Sequence, residues 1–148
     1  MIRTILSVIA AYVVMVLTMF LSFTLLYLVL GADGSFKPGS YDVSTAWMIG
    51  SVVLGFLAVL LGGYVAVLIS KKQISALWFG GIVLVVSLLV GFAAYKAGNP
   101  HEARAGIVGN SEAMTKAQNP TWLNFLVPFT GLVAAIVGGK LRRVERRY

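Results

Sequence analysis

Four long runs of uncharged, mostly apolar residues constrain the fold of this chain more than any other feature. The runs cover residues 5–30, 44–69, 74–95 and 121–139, and none of them contains Asp, Glu, Lys, Arg or His. A helix rises about 1.5 Å per residue and the hydrocarbon core of a bilayer is about 30 Å thick, so each run is long enough, or nearly so, to cross a membrane. The sequence therefore predicts an all-α integral membrane protein, an antiparallel bundle of four transmembrane helices.

Composition supports the same fold class. Of the 148 residues, 59% are hydrophobic and 11% are charged, and the mean hydropathy is +0.90. These values lie outside the range of soluble globular proteins. We therefore predict a single membrane domain that covers residues 1–148.

The distribution of Lys and Arg predicts the orientation in the membrane. Arg3, the tight turn between the second and third runs and the basic tail 140–148 lie on one side, whereas fewer cations are spread over the loops 31–43 and 96–120. The positive-inside rule then places both termini in the cytoplasm and both loops outside, and we expect the bacterial cytoplasmic (inner) membrane. The cytoplasmic cations are expected to contact anionic lipid headgroups, so a nucleic-acid role for the tail is unnecessary. These cations are Lys71, Lys72, Arg142, Arg143, Arg146 and Arg147.

The first outer loop contains two dipeptides that are typical of turns, Asp33-Gly34 and Pro38-Gly39. Both glycines can adopt the backbone conformations that tight turns require. We therefore predict a compact, irregular connection between the first two spans.

The second outer loop contains three signals for helix starts. Residues 99–102 (NPHE) resemble a capping box, Asn110 can cap a second short helix, and Asn119-Pro120 precedes the last span. Glu112 and Lys116 have the spacing of a weak helical ion pair. We expect one or two short helices on the outer membrane face, which would offer a partner-specific surface; a flexible loop is the alternative.

Small residues recur along one face of three of the four runs. Lipid gives no hydrophobic driving force for helix association, so small side chains are needed to let two backbones come into close contact. The stripe on the second run is predicted to pack inside the protein's own bundle, with contact to a neighbouring subunit as the alternative. The residues expected at helix contacts are Ser51, Gly55, Ala58, Gly62 and Ala66 on the second run, Gly80 and Gly91 on the third, and Gly131 and Ala135 on the fourth.

Pro128 marks the most polar point expected within the membrane. It lacks the N–H that would bond to the Asn124 carbonyl, and Asn124 adds a carboxamide to the same turn. Asn124 and Pro128 are therefore candidate contacts for a headgroup, a quinone oxygen or a pigment. The structural alternative is that Asn124 binds water or a hydroxyl such as that of Tyr27 or Tyr95.

The chain offers few groups for catalysis or metal binding. It has no cysteine, and its one histidine, His101, lies beside a single carboxylate, whereas metal sites normally have three or four ligands. The serines of the apolar runs have no nearby base that could activate them. We therefore predict that the protein is not an enzyme, that it has no catalytic, metal or cofactor site, and that it binds lipid.

The layout of the chain, with Met-Ile-Arg before a long first span and GGYVAVLISKK closing the second, resembles small uncharacterised bacterial four-span membrane proteins. The resemblance implies the four-span plan and no catalytic residues. Proton- and ion-coupled transporters normally carry ionisable groups within the membrane, and the four runs have none. The favoured function is a non-catalytic accessory or structural subunit that binds larger integral membrane subunits. The alternative is a homo-oligomeric pore or carrier for a neutral or hydrophobic solute.

Overall fold

The computed structural model describes residues 2–98, 103, 104, 106 and 108–142. This part of the chain forms the helices α1 (Ile2–Ser35), α2 (Thr45–Ser70), α3 (Ile74–Ala97), α4 (Asn110–Lys116) and α5 (Thr121–Leu141). All of them except α4 are long and apolar enough to cross a membrane. The prediction of an all-α chain with four helices of membrane-spanning length is confirmed.

The four long helices run back and forth between two ends of a bundle. At the turn end, residues 71–73 join α2 to α3; at the loop end lie the longer connections, α1 to α2 and α3 to α5. Helix α2 is central and packs against α1, α3 and α5, whereas α1 and α5 do not contact each other in the described part of the chain. Because successive helices alternate in direction, the neighbours α2 and α5 run parallel, so the bundle is not antiparallel at every contact.

Two glycines explain why α5 packs so closely on α2. A Cβ atom at Gly63 would overlap the carbonyl group of Ala135, and one at Gly138 would overlap the carbonyl group of Leu60. The two backbones therefore touch directly, which larger residues would prevent. Each Cα–H···O contact at such an interface contributes about 0.5–1 kcal/mol.

The main hydrophobic core occupies the middle and the turn-end half of the bundle. It includes Met15 of α1, Val59 of α2 and Phe79 of α3, together with small residues of α5. Phe79 is fully buried because α2 carries Gly62 opposite its ring: a Cβ atom at Gly62 would come within 2.5 Å of the ring Cζ atom. A large aromatic side chain thus fills the space that a glycine leaves.

Lys71 ends α2 and allows the very short turn to α3. Its backbone is left-handed, with φ 59°, and its N–H donates to the Val67 carbonyl. This is the bond by which a left-handed residue commonly closes a helix.

The first loop differs in part from its predicted form. Gly31, with φ 66°, breaks α1, but one more helical turn follows and contains Asp33-Gly34, so a turn at that dipeptide is wrong. Pro38-Gly39 does form the predicted turn, with φ 69° at Gly39 and a 3.2 Å hydrogen bond from the Ser40 N–H to the Lys37 carbonyl.

Candidate functional site

The two longer connections join into one small structure at the loop end. We call residues 32–43 and the described residues of 103–118 the loop cluster. Isolated β-bridges pair Ser40 with Ala103 and Asp42 with Gln118. Across the second bridge the Gln118 N–H donates to the Tyr41 carbonyl at 3.0 Å. These bonds connect segments that are far apart in sequence, so the loops support each other.

Aromatic side chains form the interior of the loop cluster and connect it to the spans. The ring of Phe36 lies 5.8 Å from that of Tyr41 and 6.4 Å from that of Trp47, which is at the start of α2. Trp47 also contacts Tyr27 of α1, with 6.3 Å between ring centroids. All four side chains are buried, so this end of the bundle has a second hydrophobic core.

Three polar contacts hold the second loop onto the first loop and α1. The Tyr27 hydroxyl donates to the Val108 carbonyl at 2.6 Å. The Arg104 side chain is only 5% exposed; it pairs with the exposed carboxylate of Asp33 at 2.9 Å and lies over the Phe36 ring. The Asn110 amide donates to the Thr24 hydroxyl at 3.1 Å.

Glu112 on α4 accepts a 2.8 Å hydrogen bond from the Tyr41 hydroxyl. This bond, followed by the contact with Lys116, holds the pKa of the Glu112 carboxyl below its ordinary value. Lys116 lies 3.4 Å from the carboxylate, which confirms the predicted helical ion pair. The contact is exposed, so it orients α4 more than it stabilises the fold.

The predicted helix cap at Asn110 is wrong. Asn110 is the first residue of α4, with Gly109 at the cap position, and its side chain bonds to Thr24. The last span does start after Asn119-Pro120 as predicted, with Pro120 at the cap position of α5. A local capping motif competes with tertiary partners, and at Asn110 the tertiary partner prevails. The predicted start at residues 99–102, including His101, lies outside the described residues.

The predicted helix-contact residues fall into two groups. Ala58, Gly62, Ala66, Gly80 and Ala135 are buried where the helices pack against one another, away from the loop end. Gly91 and Gly131 are also buried, at contacts between α3 and α5, and they border a cavity between the helices together with the half-buried Ser51 and Gly55. Gly63 and Gly138 make the closest backbone approach but were missing from the predicted set.

The cavity has a volume of about 440 Å³ and lies between the loop-end halves of the long helices. Trp47 and, from the loop cluster, Met114 and Ala117 border it at the loop end. Val59 and Val83, which belong to the main core, border it towards the middle of the bundle. Other lining residues, such as Val90, are exposed on the surface of the bundle, so the cavity opens sideways.

The carboxamide groups of the cavity lie just before α5 and in its first turn; the hydroxyl-bearing residues that line the cavity are Ser51, Ser87 and Thr130. Asn124 and Pro128 both line the cavity, as does Asn119, whose Oδ1 atom is buried without a hydrogen-bond partner among the residues the structure describes. The Asn124 carbonyl, deprived of a helical donor by Pro128, faces α3 at Gly91, where a Cβ atom would come within 2.9 Å of it. The bond from Tyr27 to Asn124 considered above is not formed, because the Tyr27 hydroxyl donates to Val108.

The cations predicted to contact lipid headgroups are at the turn end where the structure describes them. Lys71, Lys72 and Arg142 are exposed there, whereas Arg143, Arg146 and Arg147 lie outside the described residues. Within the described ranges, no three His, Cys, Asp or Glu side chains are grouped so that they could hold a metal ion. Comparison of the chain with protein-family models, curated proteins and solved structures finds no match.

Proposed function

We propose that this protein is a non-catalytic subunit of a larger integral membrane assembly, in which the loop cluster contacts a partner outside the bilayer. The loop cluster is the observation that carries the proposal. Connections between helices in compact domains usually need only a few residues, and longer ones are commonly functional. The connection between α3 and α5 covers residues 98–120, and much of it is held in place by bonds to the first loop.

An ordered surface favours specific binding because little conformational freedom is lost when a partner docks. The aromatic interior keeps the loop cluster ordered. So do three polar side chains that are buried or half-buried, those of Arg104, Asn110 and, from α1, Tyr27. Lys37, Pro38 and Gly39 are exposed at the tip of the first loop. We expect the partner to contact this tip.

The membrane-embedded part of the proposed interface is α1. This helix is the least buried of the four long helices, with 11% of its most apolar window buried. Its side facing away from α2 carries large apolar residues such as Val13, Leu17, Phe20 and Leu21. In the proposal, a span of a larger subunit packs on this side of α1.

We further propose that both termini are cytoplasmic and that the assembly lies in the bacterial inner membrane. The exposed Lys71, Lys72 and Arg142 at the turn end support this orientation, since cytoplasmic leaflets carry anionic lipids that attract such cations.

The alternative function is a homo-oligomeric pore or carrier. Fully buried Phe79 and the close contact of α2 with α5 fill the centre of the bundle. A solute path would therefore have to form between copies of the chain.

The proposal is tested by gentle purification from native membranes, which should recover the protein in stoichiometric amounts with larger integral membrane proteins. A photo-crosslinking residue in place of Lys37 should capture one of these partners. The same residue in place of Lys140, at the opposite end of the bundle, is the matched control and should not. Recovery only as a monomer or homo-oligomer, with solute flux in liposomes, would reject the subunit and favour the pore.

A further inference from the structure

We propose that the cavity binds a single acyl chain headed by a carbonyl group, supplied by a membrane lipid or by a free fatty acid. An apolar space inside a membrane protein does not remain empty without cost, because the side chains around it lose dispersion contacts on that side. Hydrocarbon is the material that surrounds the bundle. The shape, volume and polarity of the cavity select which molecule fits.

The length of the cavity matches one leaflet of a bilayer. Its lining on α2 runs from Trp47 to Val59, which corresponds to about 18 Å of helix. The hydrocarbon of one leaflet is roughly 15 Å thick. A chain lying parallel to the helices, with its head at the loop end, would therefore fill the cavity.

The helices beside the cavity are packed closely. A Cβ atom at Gly91 of α3 would come within 2.9 Å of the Asn124 carbonyl oxygen of α5. The proposed occupant is therefore a thin chain of hydrocarbon, not a helix of another protein. A flexible hydrocarbon chain fits this narrow space, and the sideways opening gives it a path from the surrounding lipid.

The carboxamide groups of the cavity indicate where the head of the acyl chain lies. The carboxamides of Asn119 and Asn124 lie at the loop end, whereas Val59 and Val83 form the opposite end. A carboxamide N–H group can donate to an ester or acid carbonyl. The buried Oδ1 of Asn119 has no partner among the described residues; as an acceptor it would bind the O–H of a protonated acid head, whereas the carboxamide N–H groups would donate to the carbonyl.

Trp47 provides a local probe of the cavity. It lines the loop end and is only 4% exposed, while the other tryptophans, Trp78 and Trp122, are exposed to surrounding lipid. In a Trp78→Phe/Trp122→Phe background, phosphatidylcholine vesicles with brominated acyl chains should quench Trp47 fluorescence. Bromine near the carbonyl end should quench more strongly than bromine near the methyl end. Absent quenching, or stronger quenching by methyl-end bromine, would overturn the proposal.

A matched pair of glycine substitutions tests whether the quenching arises in the cavity. Gly55 lines it, and a Cβ atom there has no neighbour closer than 4.0 Å, so Gly55→Leu should fill the space and remove most of the quenching. Gly81 is not a lining residue and has open space around it, so Gly81→Leu should leave the quenching unchanged. Ser87→Leu fills the cavity from α3 and serves if Gly55→Leu does not fold. Unchanged quenching in a folded cavity-filling variant would contradict the proposal.

A second reagent shows whether the bound acyl chain belongs to a membrane lipid or to a free fatty acid. Brominated fatty acid added to the protein in detergent should quench Trp47 if a free acid binds. Quenching by brominated phosphatidylcholine but not by the acid identifies the lipid.

Discussion

The hydroxyl of Tyr27, in the first long helix, donates a 2.6 Å hydrogen bond to the backbone carbonyl of Val108, 81 residues further along the chain. Both residues are buried. The bond therefore anchors the second loop to α1 at a buried point. It connects the bundle directly to the loop cluster on which the proposed function depends.

Removal of this bond should loosen the loop cluster. We expect Tyr27→Phe to destabilise the protein by about 1–3 kcal/mol, because the buried Val108 carbonyl loses its partner. The measurements are unfolding in detergent and hydrogen exchange of the backbone amides of residues 108–117, which should become less protected. Tyr95→Phe is the control. Tyr95 is 61% exposed, so the free energy of unfolding of this variant should differ from that of the wild type by less than about 0.5 kcal/mol. Equal effects of the two substitutions would show that the bond contributes nothing specific.

Close contact between α2 and α5 leads to a second prediction. Gly138→Ala should destabilise the bundle by about 1–3 kcal/mol or more, since the new methyl group overlaps the Leu60 carbonyl and backbone cannot move aside cheaply. Thermal unfolding in detergent gives the comparison with Gly81→Ala. That methyl group meets nothing within 4 Å, and alanine is the better helix former, so Gly81→Ala should be neutral or slightly stabilising. A stable Gly138→Ala protein would mean that the two helices are not in backbone contact.

Local sequence signals were sufficient to predict the long helices and one turn. Membrane-spanning length depends on composition within each run, and the Pro38-Gly39 turn depends on the backbone preferences of two adjacent residues. The structure confirms both, because neither requires knowledge of a distant partner.

The loop cluster could not be predicted in the same way. Its bridges join residues such as Asp42 and Gln118, and its hydrogen bonds join Asn110 to Thr24, so each contact depends on how the spans are arranged. The motif at Asn110 predicts a helix start, which the structure has at this residue, but it does not predict the hydrogen bond from Asn110 to Thr24. Long-range contacts of this kind leave no short motif in the sequence.

The helix contacts were predicted only in part for a related reason. A stripe of small residues identifies a face that can pack closely but does not identify its neighbour or the point of closest approach. Gly62 faces Phe79, whereas the adjacent Gly63 touches the backbone of α5. Ser51 and Gly55, which continue the same stripe, border a cavity.

Acidification should weaken the attachment of α4 to the first loop. The pKa of Glu112 lies below the ordinary value of 4.5, chiefly because the ionised carboxylate accepts the hydrogen bond from Tyr41. Folding therefore favours the ionised form. Its contribution is present above the ordinary pKa and is lost as the pH falls through the lowered value.

The comparison of wild type with Glu112→Gln isolates this contribution. At neutral pH the wild type should unfold at a higher temperature than the variant. The difference should begin to shrink near the ordinary carboxyl pKa and disappear once the pH is below the lowered pKa of Glu112. A difference that is independent of pH would contradict a role for the carboxylate charge. Other titrating groups affect both proteins equally and cancel in the comparison.

The orientation of the bundle determines which compartment the loop cluster meets, and cysteine labelling can establish it. The chain has no cysteine, so Gly109→Cys and Lys72→Cys each introduce one reactive site, at opposite ends of the bundle. Both positions are exposed, and a Cβ atom at Gly109 meets no neighbour within 4 Å, so neither change should disturb the fold. The distribution of Lys and Arg predicts that a membrane-impermeant maleimide will label Gly109→Cys on intact cells but Lys72→Cys only after the membrane is opened. The opposite labelling pattern would still agree with four spans but would show that the bundle has the reverse orientation in the membrane. The loop cluster would then face the cytoplasm, and the proposed partner would have to be sought there.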